Sequence, residues 1–119
     1  MEKVKTWEAK IFIGFREGYS DKVHTLEECY KVVQEHVDRL SWCVTVTSTK
    51  FIYKDGNESG AIIGIIHYPR LPSETKVLKQ MTFDLAKVLK EYMGQKRVSV
   101  LFPDETCLIG EPEREEVGK

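Results

Sequence analysis

The side chains best equipped for chemistry in this chain are arginines set beside aromatic rings. Arg16 enters a polar stretch that also holds Tyr19, and Arg70 follows Tyr68-Pro69 at the end of an apolar run. Arg97 follows Lys96 at the entrance to another apolar segment. A guanidinium is a planar fork of donors matched to phosphate, and a neighbouring ring can stack on a nucleobase. Asn57 and Glu58 offer hydrogen bonds to a sugar or base edge, and Phe12 offers an aromatic surface. The candidate ligand-binding residues are therefore Phe12, Arg16, Tyr19, Asn57, Tyr68, Arg70 and Arg97. The plainer alternative is that such arginines are solvated and that Tyr68-Pro69 plugs the end of a core.

Catalytic chemistry is less well represented. His24, His36 and His67 share no metal-ligand spacing with one another or with a cysteine, so no metal is expected. His36 falls on the polar side of a helix and reads as solvated. Cys29, Cys43 and Cys107 stand where small apolar residues would serve, as core or interface residues and not as nucleophiles. Glu27-Glu28 reads as helix capping. There is no nucleophile elbow, phosphate-binding loop or dinucleotide fingerprint, and no cofactor is implied. Met1 is followed by Glu2, so the N-terminal proline base of small tautomerases is missing. No residue offers a base with an orienting partner, and the expectation is a protein that is not an enzyme.

Composition bounds the partners. The 119 residues suit one domain, with 41% hydrophobic and 31% charged residues. A net charge of −1 gives no broad footprint for DNA or RNA. An odd number of cysteines without C-x-x-C spacing suits a reducing cytosol. The opening "MEKVKTWEAK" has no apolar signal core, and no apolar run is long enough to span a membrane. The expected location is cytoplasmic.

These residues need elements to position them. Residues 9–15 alternate as a strand, and a polar loop follows at 16–22. Thr25-Leu26-Glu27-Glu28 has the form of a capping box, opening a helix with Leu26, Cys29, Val33, Val37 and Leu40 inward. Residues 42–53 alternate as a strand, with Trp42, Val44 and Val46 opposite Cys43, Thr45 and Thr47. "KDGNESG" (54–60) carries Asp-Gly chemistry and reads as a hairpin loop, with "AIIGII" (61–66) as the returning strand. Ser73 is placed to cap a second helix with Val77, Leu78, Met81, Leu85, Val88, Leu89 and Tyr92 inward, stopping at Gly94. Strands follow at 97–102 and 106–110. The order β-α-β-β-α-β with an extra strand predicts an α+β two-layer sandwich, both helices covering one face of a mostly antiparallel sheet. The single domain would span 1–110, with a loose charged tail over 111–119.

The face away from the helices should be polar, yet Ile62, Gly64 and Ile66 are as apolar as Ile63 and Ile65 on the other side. Phe12 and Leu101 add to it. Contiguous apolar surface of this size marks an interface, which predicts a homo-oligomer joined through the open sheet face. The alternative is that the extra strand or the termini cross that face.

Three runs, "KIFIGFREGYSDKVHTLEE", "WCVTVTSTKFIYKDGNESGAIIGIIHYPRLPS" and "RVSVLFPDETCLI", together cover nearly all of residues 10–109. Their pattern resembles small phage-encoded proteins of the Thoeris anti-defence sponge type. The resemblance implies a cytosolic, oligomeric, non-catalytic protein that sequesters a cyclic nucleotide signal, a cyclic ADP-ribose isomer, between subunits and so blocks host defence. It transfers no binding residues position by position. A second reading is a PII-like or ferredoxin-like regulatory module that docks a protein through the 54–60 loop. A small isomerase-like enzyme is a third.

Overall fold

The computed structural model describes residues 1–111. Its elements are β1 (Glu8–Gly14), α1 (Leu26–Leu40), β2 (Thr45–Tyr53), β3 (Gly56–Ile66), α2 (Thr75–Tyr92), β4 (Arg97–Leu101) and β5 (Thr106–Gly110). The strands form one sheet in the order β2-β3-β1-β4-β5, every adjacent pair antiparallel. Both helices pack on one face, so the architecture is the α+β sandwich that the element order predicts. The charged tail expected at the C-terminus lies, from residue 112 onward, outside the described residues.

Strand alternation builds the core. Ile11 and Ile13 of β1, Ile63 and Ile65 of β3, and Val98 and Val100 of β4 all point under the helices and are buried. They meet Cys29, Val32 and Val33 of α1 and Leu85, Ala86 and Leu89 of α2. Each such isoleucine contributes about 1.5–3 kcal/mol by leaving water. Trp7, Phe83 and Phe102 close the end of the core where the chain enters β1.

The first helix begins as expected. Glu28 N–H donates to Thr25 Oγ1 at 3.1 Å, and Thr25 N–H donates to Glu28 Oε1 at 2.8 Å. The capping box satisfies two backbone donors that would otherwise be orphaned. The second helix departs from expectation. Its N-cap is Glu74, with no side-chain cap bond, and Ser73 lies one residue before it, its amide donating to His67 Nε2 at 3.1 Å. The stop at Gly94 holds, since its φ of 62° is the left-handed conformation that glycine adopts without strain.

Three further expectations are corrected. His36 is buried at 7% exposure, not solvated, and neither ring nitrogen has a partner. Leu40 and, on α2, Val77, Val88 and Tyr92 lie at the margins of their helical stripes and are exposed. "KDGNESG" is not a loop. Only Lys54 and Asp55 form the turn, and the strand resumes at Gly56, with Asn57 paired to Ile52 and Glu58 to Phe51. The longer pairing is possible because Gly56 and Gly60 lack side chains: the rings of Tyr53 and Phe51 lie where their Cβ atoms would be. A docking loop at 54–60, on which the regulatory-module reading relied, therefore does not exist.

Candidate functional site

The face of the sheet away from the helices carries the unusual chemistry. Register places Thr47, Ile62, Phe12, Ser99 and Leu108 side by side across all five strands. The next row is Thr45, Gly64, Lys10, Leu101 and Thr106. Ile66, Leu101 and Leu108 remain 41–46% exposed, and Phe12, Ile62 and Lys10 are half-buried. The extra strand does not cross this face: β5 pairs with β4 at the sheet edge and adds Leu108 to the exposed row.

At the end of the face where β1 begins and β3 ends lies a depression of about 280 Å³. Glu8, Lys10, Thr45, Thr47, Ile62, Gly64, Ile66 and Tyr68 border it. Gly64 is its floor, and a Cβ there would lie 2.5 Å from Thr45 Oγ1. Thr45 Oγ1 donates weakly to the Gly64 carbonyl at 3.4 Å. Among the described residues, Lys10 and Glu8 form no ion pair. The depression thus joins isoleucine surface, two hydroxyls, an ammonium, a carboxylate and a phenol, the mixture of apolar wall and few polar groups typical of small-ligand sites. The Tyr68 hydroxyl is held above its ordinary pKa by a hydrogen bond with Cys43, and by burial. It stays a neutral phenol, able to donate.

The exit of β3 is held in shape by His67. Because an amide can only donate, Ser73 N–H fixes Nε2 as an acceptor, which leaves the ring proton on Nδ1. Nδ1–H then donates to the Lys5 carbonyl at 2.8 Å, and His67 N–H donates to Trp7 O at 3.0 Å. A neutral histidine thereby ties the N-terminal segment to the approach of α2, beside Tyr68. Arg70 stands exposed in the turn that the Leu71-to-Tyr68 backbone bond closes at 2.9 Å.

The predicted residues divide into two groups. Tyr68 borders the depression, Phe12 shares the row of Thr47 and Ile62 beside it, and Arg70 follows at the same end. Arg16, Tyr19, Asn57 and Arg97 lie at the opposite end, beyond the length of β1, roughly 20 Å away. Tyr19 is 90% exposed, with Lys96 Nζ 6.0 Å above its ring. Arg16 bridges Val23, and its carbonyl accepts from Gln95 Nε2 at 2.7 Å. Within one chain the paired arginine–tyrosine groups do not converge. Glu8, Lys10, Thr45, Thr47 and Gly64 were not singled out from the sequence. Their signal was available in the polar, outward half of the strand alternation.

The three cysteines differ in setting: Cys43 is exposed, Cys107 half-buried and Cys29 part of the core. Cys29 is fully buried, and burial pushes its thiol up to about 11, away from thiolate chemistry. Among the described residues, no group of three or more histidine, cysteine or acidic side chains could hold a metal ion. No described helix is long and apolar enough to cross a membrane.

No family model matches the chain, and no curated protein matches it. Two solved structures do. One is a phage SAM lyase in complex with S-methyl-5′-thioadenosine, 19% identical, with a TM-score of 0.76 over 97% of each chain. The other is a phage SAM lyase in the apo state, 18% identical, with a TM-score of 0.71 over 97% of this chain and 98% of that one. At this identity the likeness establishes a shared fold. Neither structure is a cyclic ADP-ribose sponge, so the specific resemblance drawn from the sequence gains no support. The expectation of a non-enzyme is also corrected: the solved structures with this architecture are named as lyases.

Proposed function

We propose that this chain is a phage small-molecule lyase that binds an adenine-containing sulfonium compound, S-adenosylmethionine, on the open sheet face. The observation that carries the reading is the Gly64-floored depression, in a fold that matches the phage SAM lyase over 97% of both chains. Ile62, Ile66 and the Tyr68 ring supply apolar surface for an adenine. Thr45 and Thr47 supply hydroxyls for a ribose. Lys10 pairs with the carboxylate of an amino acid end, and Glu8 pairs with its ammonium.

The chemistry asks little of the protein beyond position. Breaking the bond between the sulfonium sulfur and the Cγ of the amino acid chain returns the electron pair to sulfur. That step leaves S-methyl-5′-thioadenosine as a neutral thioether. The substrate's own carboxylate oxygen forms the new bond to Cγ and closes a five-membered lactone, so no water, oxidant or proton is consumed. A site that holds the chain folded and excludes water promotes this ring closure through proximity. It would need no histidine base, which is why the sequence carries no conspicuous catalytic pattern.

Exposed Ile66, Leu101 and Leu108 support assembly of several copies through the same face, walling the shallow depression on its open side. In such a homo-oligomer the end of one copy that carries Arg16 and Tyr19 reaches toward a neighbour's site. The working compartment is the host cytoplasm.

The test is to incubate purified protein with S-adenosylmethionine and, separately, with cyclic ADP-ribose isomers, and to follow both by mass spectrometry. Formation of S-methyl-5′-thioadenosine and the lactone is expected, falling at least about tenfold in Lys10→Met. S-adenosylmethionine returned intact, or a cyclic ADP-ribose isomer retained without turnover of the sulfonium, overturns the reading.

A further inference from the structure

The loop between β1 and α1 is gathered around one buried histidine. His24 is 6% exposed. Its Nε2 lies 2.6 Å from Glu17 Oε2, and its Nδ1 lies 3.0 Å from Glu28 Oε2. Tyr92 of α2 donates its hydroxyl to the same Glu28 oxygen at 3.3 Å, with its ring centroid 5.6 Å from the imidazole. Lys22 Nζ stands 3.5 Å from Glu17 Oε2. The charged groups facing the ring are therefore Glu17 and Lys22 from the loop and Glu28 from α1, with the Tyr92 phenol from α2.

A neutral imidazole has one N–H and one lone pair. It can serve only one of two flanking carboxylates, and its second nitrogen would then direct a lone pair at a carboxylate oxygen. An imidazolium donates to both. We propose that Glu17, His24 and Glu28 form a proton-dependent latch, closed by the imidazolium and opened by loss of its proton, that holds residues 15–24 against both helices.

The backbone bonds of the loop are its dependents. His24 N–H donates to Phe15 O at 2.7 Å, Glu17 N–H to Lys22 O at 3.0 Å, and Ser20 N–H to Glu17 O at 3.0 Å. Glu17 also packs on Gly94, where an added Cβ would lie 2.7 Å from Glu17 Cδ. Because this loop carries Arg16 and Tyr19, the latch ties the proton to the position of that end of the open face.

Burial opposes charge on His24, but the hydrogen bonds to Glu28 and Glu17 outweigh it and raise its pKa. The bond from His24, followed by that from the Thr25 amide, lowers Glu28 to about 2. Glu17 is lowered as well, first by His24. The imidazolium's contribution is complete below the ordinary histidine pKa of 6.5 and is lost as pH rises through the raised value. The carboxylates' contribution is complete above 4.5 and fades as pH falls toward about 2.

The experiment is a ring-nitrogen NMR titration of His24 in the full chain, with amide exchange of residues 15–24 across the same pH range. His24 should titrate above the ordinary histidine range, and Glu17→Gln, which spares the α1 capping box, should bring it down. Corrected for intrinsic rate, exchange at Glu17, Ser20 and His24 should quicken about tenfold or more as the proton leaves. In His24→Gln that exchange should be fast at every pH. A ring that titrates at or below the ordinary range overturns the latch. So does loop exchange that is unchanged across the titration, or that is as slow in His24→Gln as in the native chain.

Discussion

Two buried histidines sit twelve positions apart in the same loop–helix unit and respond to protons with opposite signs. His24 is flanked by carboxylates, whose hydrogen bonds outweigh burial and raise its pKa. His36 is buried without a partner, and burial first, then Arg39, lowers its pKa. The folded state therefore refuses a proton that the unfolded chain accepts. Stability tied to His36 is complete above the ordinary value of 6.5 and is lost as pH falls below it. His36→Leu should add about 1–3 kcal/mol at neutral pH by removing two unsatisfied buried atoms. It should also flatten the decline toward acid, read by urea unfolding at a series of pH values. A loss of stability on substitution would mean that the ring is satisfied after all. The burial of His36 was legible: it follows Cys29 and Val33 by seven and three residues, the spacing of one helical face. The solvated reading set His36 on the polar side of the helix, and it is that placement which the structure corrects.

Single elements show where local signals suffice. The Thr25 capping box depends on side chains within one turn, and it formed as its residues predict. Thr25→Ala should cost about 1 kcal/mol of stability with the fold retained, measured by chemical denaturation. No measurable cost would mean that solvent caps the helix as well as threonine does. The β2–β3 hairpin shows the limit. Asp, Gly, Asn and Ser over 54–60 have the composition of a loop, yet cross-strand pairing with 45–53 continues the ladder down to a two-residue turn. Composition reports propensity. Phe51 and Tyr53 lying over glycines report packing, and packing prevails. At the start of α2, Ser73 has the residue type of a cap, but the helix begins one residue later, with Glu74 at the N-cap position.

At the scale of the molecule, the open sheet face leaves Ile66, Leu101 and Leu108 uncovered in the single chain. Ile66 and Leu108 are 44% and 46% exposed, so replacing them with aspartate removes little from the monomer's own core. Ile66→Asp with Leu108→Asp should reduce the mass seen by light scattering to that of a single chain, with melting of the protomer nearly unchanged. An unchanged assembly mass, or a native chain that is already monomeric, would refute assembly through this face. Arg70→Ala, at the same end of the face as the depression, should weaken ligand retention with little effect on melting. A looser fold with binding intact would make Arg70 structural.

Alternation and helical spacing were enough to place seven elements, to separate the two faces of β1, β3 and β4, and to expose the second apolar face. These are short-range periodicities, written wherever a strand or helix has an inside and an outside. The convergence of side chains was not written there. Tyr92 reaches Glu28 across 64 positions, and the Ser73 amide fixes which nitrogen of His67 carries the proton. Arg16 and Arg70, alike in their sequence setting, lie at opposite ends of one antiparallel sheet. Such distances follow from how strands are ordered and helices laid across them, and residue spacing along the chain carries no measure of that.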